Sequence, residues 1–233
     1  MVKTKTDLGF IHHFIPPKNA PSYERAKQRA TQRKTFTTFL LLHGTGGNEQ
    51  DLVPLAYELD KSAAILSPRG KVLENGNTPR FFRRLAEGVF DLEDLKFRTN
   101  ELADFIIDAS KTYDFDLRHV IAVGYSNGAN IAASMLLLLP EILTSAILFR
   151  AMVPLVPERL PNLNDKHIFM SSGLYDPIVS RQEAENLFGL FKKDGANISL
   201  SWQEGGHELT MDEIQKAKEW LLRSAFSPRS SFA

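Results

Sequence analysis

The chain contains no cysteine. Disulfides, thiol catalysis and thiolate metal sites are thereby excluded. It also lacks an excess of either charge, because basic and acidic residues number 28 each. No long-range field then favours nucleic acid or an anionic membrane surface. Long hydrophobic runs are missing too: the stretch Met135–Leu139 is far too short to cross a bilayer. The opening MVKTKTDLGF has no apolar core of a secretory signal. The expectation is a soluble cytoplasmic protein whose 233 residues form one domain, 1–233, with a sizeable core.

What is present is alternation. Strand-like runs are predicted at Phe10–Ile15, Phe36–Leu42, Ala63–Leu66, Val120–Val123, Ala146–Phe149, His167–Met170 and Ile198–Trp202. Between and after them, helical spacing predicts helices from a cap at Asn48 through Leu59, and over Leu92–Tyr113, Asn127–Leu139, Arg181–Lys193 and Met211–Phe226. The polar stretch from Lys18 to Lys34 reads as a solvated loop or short helix, and Ser67–Pro79 as a loop. Such alternation predicts an α/β protein with a mostly parallel central sheet and helices on both faces.

Chemistry enters at Gly124-Tyr125-Ser126-Asn127-Gly128. This is G-x-S-x-G between a buried strand and a helix, the context in which the motif holds a nucleophilic serine on a tight, strained turn. Side chains at the two glycine positions would collide with the neighbouring strand and helix. The bland alternative is an ordinary β–α turn. A serine hydroxyl needs a base, and the chain offers six histidines. His12 and His13 are adjacent in a strand and point to opposite faces. His119 and His167 precede strands, at the wrong end of a parallel sheet. His43 follows a strand directly and fits support of its loop better than base chemistry. His207, in Glu204-Gly205-Gly206-His207-Glu208 after the last strand, is the base of choice. Asp176, straight after the strand starting at His167, shares that edge and supplies the carboxylate that orients a base; its bland reading is an Asp-Pro turn. The chain order Ser126, Asp176, His207 is that of the α/β-hydrolase triad.

Donors for an oxyanion are expected from backbone N–H groups. His43-Gly44-Thr45-Gly46-Gly47 exposes its backbone, and the N–H of Thr45 and of Asn127 form the natural pair. A nucleotide loop is disfavoured: Glu49 stands where G-x-G-x-x-G needs its third glycine, and no Lys-Ser/Thr pair follows. No H-E-x-x-H or histidine cluster has metal-ligand spacing, so neither metal nor cofactor is expected.

LLLHGTGGNEQDL, VGYSNGAN, SSGLYDPIV and EGGHEL, in this order, resemble the bacterial carboxylesterase branch of the phospholipase/carboxylesterase family, α/β-hydrolases related to acyl-protein thioesterases. The resemblance runs from about Phe36 to Leu222. It implies an α/β-hydrolase fold and a serine carboxylesterase acting through Ser126, Asp176 and His207, with Thr45 and Asn127 as oxyanion donors. Thioesterase or lysophospholipase activity on the same site, and a non-catalytic ligand-binding role, are the alternatives. Thr45 and Asn127 stand where thioesterases usually have Leu and Gln. SPRGKVLENGNTPRFFRR, residues 67–84, looks typical of the bacterial branch. Its Arg69, Arg80, Arg83, Arg84 and Phe81-Phe82 fit either recognition of an anionic or aromatic substrate or packing over the site. Only Arg150–Lys166 separates the strand ending at Phe149 from the next, so a small or absent cap and an open pocket are expected. The partner expected is a small-molecule ester, without nucleic acid or membrane insertion; a homodimer is left open.

Overall fold

A computed structural model describes residues 3–5, 8–18 and 36–224. Its centre is an eight-stranded sheet in the order β1-β2-β4-β3-β9-β10-β11-β12. The strands are β1 (Lys3–Lys5), β2 (His12–Ile15), β3 (Thr38–Leu42), β4 (Ala64–Pro68), β9 (Val120–Tyr125), β10 (Ser145–Phe149), β11 (His167–Gly173) and β12 (Asn197–Gln203). β1 and β2 pair antiparallel, as do β2 and β4, and every pairing from β4 to β12 is parallel. The remaining strands form two hairpins off the sheet, β5 (Val72–Glu74) with β6 (Thr78–Arg80), and β7 (Arg84–Ala86) with β8 (Val89–Phe90).

All five residues of β3 are buried, which requires cover on both faces. Phe39 and Leu41 point to the side covered by α1 (Val53–Leu59) and α5 (Met211–Ser224), which contribute Leu55, Leu59, Ile214 and Leu221. Leu40 and Leu42 face α2 (Leu92–Tyr113), α3 (Asn127–Leu138) and α4 (Arg181–Lys193), which contribute Leu95, Leu102, Ile131, Leu187 and Phe191. The period-2 side-chain direction of the strand thus divides one apolar run between two helical layers. Among the described residues, no helix is long and apolar enough to cross a membrane.

The predicted strands of the main sheet are present, and the differences lie elsewhere, among them the unpredicted β7–β8 hairpin. β1 was not legible in Lys3-Thr4-Lys5, because a three-residue polar edge strand has no hydrophobic pattern. The Ser67–Pro79 loop contains the end of β4 and most of the β5–β6 hairpin. Helix α1 begins at Val53 and not at a cap on Asn48, whose side chain closes a local turn by accepting from Gln50 N at 2.8 Å. Pro54 suits the first turn that results. The expected polar segment beyond Lys18 lies outside the described residues, as do the last two residues of the predicted final helix.

Candidate active site

Ser126 is the hinge between β9 and α3, with φ 53° and ψ −115°. A non-glycine residue held there is strained, and the neighbours enforce it. A Cβ on Gly128 would lie 1.9 Å from Leu42 O, and one on Gly124 would lie 2.6 Å from Ala129 Cα. The strand, turn and helix therefore close on one another only with glycine at both positions.

The parallel register brings the ends of β9, β11 and β12 to one edge. His207 Nε2 lies 2.9 Å from Ser126 Oγ, and His207 Nδ1 lies 2.8 Å from Asp176 Oδ2. The carboxylate can only accept, so Nδ1–H donates to it and Nε2 is left to accept from the hydroxyl. The other Asp176 oxygen, Oδ1, accepts from Ile178 N at 2.8 Å and Val179 N at 3.0 Å, which fixes the carboxylate plane. The arrangement can carry a proton from Ser126 to His207.

Beneath it lies a buried ion cluster that sequence reading missed. Arg150, fully buried, donates from Nη1 to Glu213 Oε2 at 2.6 Å and from Nη2 to Glu213 Oε1 at 3.0 Å. Its Nε donates to Gly206 O at 2.9 Å and its Nη2 to Glu208 O at 2.6 Å. Tyr125 OH donates to the carbonyl between them, His207 O, at 3.0 Å. Three consecutive carbonyls of the His207 loop are thus held by side chains. Glu213 also forms a capping box at the start of α5, accepting from Thr210 N at 2.6 Å, and it accepts from Ser171 Oγ at 2.7 Å. Arg150 Nε lies 3.8 Å from Asp176 Oδ2, and all three charged side chains are sealed from solvent. Two carboxylates face one guanidinium, so one negative charge is uncompensated beside His207, and a proton taken up by the imidazole would neutralise it. The usable signal was T-x-x-E at Thr210 and a lone arginine directly after the apolar run of β10.

The N–H groups of Thr45 and Asn127 make no hydrogen bond among the described residues, whereas Gly46 N–H donates to Pro79 O at 2.9 Å and Gly47 N–H to Gly44 O at 3.1 Å. Asn127 N–H is moreover an end group of α3, where helical partners are lacking. Thr45, Ser126, Asn127 and His207 line one cavity of about 340 Å³ together with Arg80, Arg84, Phe90, Met152 and Val179. Among the described residues, no group of three or more His, Asp or Glu is placed to hold a metal ion.

No family model matches the chain. It is, however, 51% identical over 181 residues to a Bacillus subtilis (strain 168) protein named "Putative hydrolase MhqD", a span covering 78% of this chain and 90% of that one. The crystal structure of the Bacillus cereus carboxylesterase superposes with a TM-score of 0.84 at 47% identity, covering 92% of this chain and 94% of that one. The chain belongs to the bacterial carboxylesterases of the phospholipase/carboxylesterase family. It is an ester hydrolase of the α/β-hydrolase fold. This carboxylesterase is also similar to YahD, solved with malic acid, with a TM-score of 0.79 at 32% identity and coverage of 95% and 98%.

The segment at residues 67–84 reaches the cavity, whose wall includes Arg80 and Arg84. Phe81 N donates to Asn127 Oδ1 at 2.7 Å, and Arg80 Nη1 donates to Thr45 Oγ1 at 2.6 Å. Both residues expected to offer backbone donors thus hold this segment through their side chains. Phe81 and Phe82 are buried in packing and do not line the cavity.

His43 is buried with both ring nitrogens committed: Nδ1–H donates to Gly44 O at 2.7 Å, and Nε2 accepts from Gly70 N at 2.9 Å. It therefore ties the His43–Gly47 loop to the overlying segment, the supporting place expected for it. Burial pushes its pKa below the ordinary 6.5, against the opposing pull of the Gly44 carbonyl, Asp51 and Glu49. With the folded value depressed, the unfolded chain binds the proton first on acidification, so the stability His43 contributes is present above about pH 6.5 and lost as pH falls through the folded value. The melting temperature should accordingly fall between about pH 7.5 and about pH 5.5, and His43→Gln should flatten that fall. An unchanged slope in the variant would contradict the assignment.

Proposed function

We propose that this chain is a serine carboxylesterase that hydrolyses small to medium esters through an acyl-enzyme. The observation that carries the reading is the unbroken chain of contacts from Ser126 Oγ to His207 Nε2 at 2.9 Å and from His207 Nδ1 to Asp176 Oδ2 at 2.8 Å. Ser126 Oγ attacks the ester carbonyl while His207 Nε2 takes its proton, and Asp176 stabilises the imidazolium. The carbonyl oxygen becomes an oxyanion between the N–H groups of Thr45 and Asn127. The C–O bond of the ester then breaks, and the alcohol leaves with the proton from His207. A water attacks the acyl-Ser126 by the same route, delivering its proton to His207, and the acid departs as Oγ recovers the proton.

YahD, 32% identical to this chain, was solved with malic acid, a small polar acid. A cavity of about 340 Å³ stands at the small end of ligand pockets. Steady-state rates on matched oxygen and thio esters of about C2 to about C16 acids test the reading, with the best rates expected on short oxygen esters. A preference for long-chain thioesters would replace it with a thioesterase, since both leaving groups pass through the same acyl-enzyme.

Thr45→Pro deletes one oxyanion donor and is expected to lower turnover by about 10²- to 10³-fold, while Thr45→Ala keeps the N–H and should cost under about tenfold. Melting curves and fluorophosphonate labelling of Ser126 would establish that the proline variant is folded. A folded Thr45→Pro variant with near-normal turnover would remove this donor from the mechanism.

A further inference from the structure

Four arginines lie in the segment over the cavity, and three of them have a carboxylate. Arg69 pairs with Glu49, Arg83 with Asp91, and Arg84 with Glu74. Arg80 has none within ion-pair distance among the described residues, although it is the most buried of the four at 3% exposure. Its contacts are neutral: Nη1 donates to Thr45 Oγ1 at 2.6 Å and Nε to Phe82 O at 3.2 Å. Nη2 makes no hydrogen bond to protein and is not among the sealed side-chain atoms lacking a partner, so it opens on space. The space available is the cavity that Arg80 lines beside Ser126 and His207.

A guanidinium taken out of water without a counter-charge is strongly disfavoured. Burial pushes its pKa down to about 10, with the charge of Arg84 acting in the same direction and Glu74 opposing. At neutral pH Arg80 remains a cation. Glu87 also lines the cavity, but it is exposed and its charge acts on Arg84. The wall close to Thr45 thus holds one largely buried positive charge that has no carboxylate partner among the described residues and has donors to spare.

We propose that Arg80 is the anchor for a carboxylate on the substrate, so that the favoured esters are anionic: half-esters of short dicarboxylic acids, or esters of short hydroxy acids. The proposal rests on the esterase reading above and names its substrate class. A planar guanidinium suits a carboxylate, which can take two parallel N–H bonds from the fork. The contact of Arg80 with Thr45, whose N–H would meet the oxyanion, places the anchored carboxylate near the scissile carbonyl. Long spacers between the two groups are therefore disfavoured.

The test compares kcat/KM for phenyl hydrogen glutarate with phenyl pentanoate, and for the butyrate ester of glycolic acid with propyl butyrate. The first pair carries the acid on the acyl side and the second on the alcohol side. The wild type should prefer the anion in at least one pair by about tenfold or more, and Arg80→Gln should lower that anion-to-neutral ratio by about 10- to 100-fold. Arg80→Lys should recover part of the ratio, and melting curves would show that both variants fold. Loss of equal size on both members of each pair would confine Arg80 to holding Thr45 and overturn the proposal, as would a wild-type preference for the neutral esters. If no ester is turned over and a fluorophosphonate does not label Ser126, the esterase reading fails by itself. Calorimetric binding of glutarate then decides the anchor separately: binding that Arg80→Gln abolishes supports it, and no binding to the wild type overturns it.

Discussion

Ser126→Ala is expected to lower ester turnover by about 10⁶-fold, His207→Ala to lower it nearly as far, and the double variant to be no worse than either. Non-additivity is the informative part. The 2.9 Å contact between Oγ and Nε2 means that the imidazole has no proton to receive once the hydroxyl is gone. The hydroxyl, equally, stays a weak nucleophile once the imidazole is gone. Residual rate over water would then come from the oxyanion donors and from substrate binding alone. A fluorophosphonate should label the wild type at Ser126 and leave Ser126→Ala unlabelled. Labelling of another serine, or a double variant far below both single ones, would contradict a nucleophile and base acting as a unit.

Arg150→Met is expected to cost about 3–5 kcal/mol of folding stability, because it leaves a buried carboxylate without its counter-charge. Glu213 would keep Ser171 Oγ and Thr210 N, yet it would lose both guanidinium bonds, at 2.6 Å and 3.0 Å. The carbonyls of Gly206 and Glu208 would lose their donors as well, and both flank His207. Urea unfolding would measure the loss, and the double variant Arg150→Met with Glu213→Leu should be less destabilised than the sum of the single changes. The backbone adds a control, since Arg150 sits at φ 57°, where glycine is free of strain. Arg150→Gly relieves that strain and should still lose most of the stability if the side chain is the cause. A loss under about 1 kcal/mol in Arg150→Met would show that the cluster is not held by its charges.

The sheet, and the gathering of Ser126, Asp176 and His207 at one of its edges, were legible because their signals are local. A buried strand reads as an apolar run, a strained turn needs glycines at fixed offsets, and a parallel sheet sends every strand end to one edge. The hairpins β5–β6 and β7–β8 were not legible, because strands of two or three residues such as Thr78-Pro79-Arg80 carry no periodicity. Arg150 was missed for a different reason. It looked like the first residue of a loop, and its worth depends on Glu213 in the last helix, which no short window contains. Among the arginines of residues 69–84, composition could not tell which ones spend their charge on a carboxylate. Only the pairing of Arg69, Arg83 and Arg84 singles out Arg80.

The two hairpins between β4 and α2 occupy one continuous stretch, whereas Ser126, Asp176 and His207 come from three separate strand ends. Pocket shape and the proposed bond-breaking chemistry are therefore inherited from different parts of the chain. Exchanging residues 71–90 for those of another enzyme of this fold would change which molecules fit without moving a strand of the main sheet. The junction includes Thr45 Oγ1 and Asn127 Oδ1, which accept from Arg80 and Phe81 N, the bond from Gly46 N–H to Pro79 O, the bond from Arg83 N to Asp94, and the core packing of Phe81 and Phe82. A graft would have to reproduce these contacts to seat on this scaffold, and one that lacks them would leave the His43–Gly47 loop held to the overlying segment by the bond from Gly70 N–H to His43.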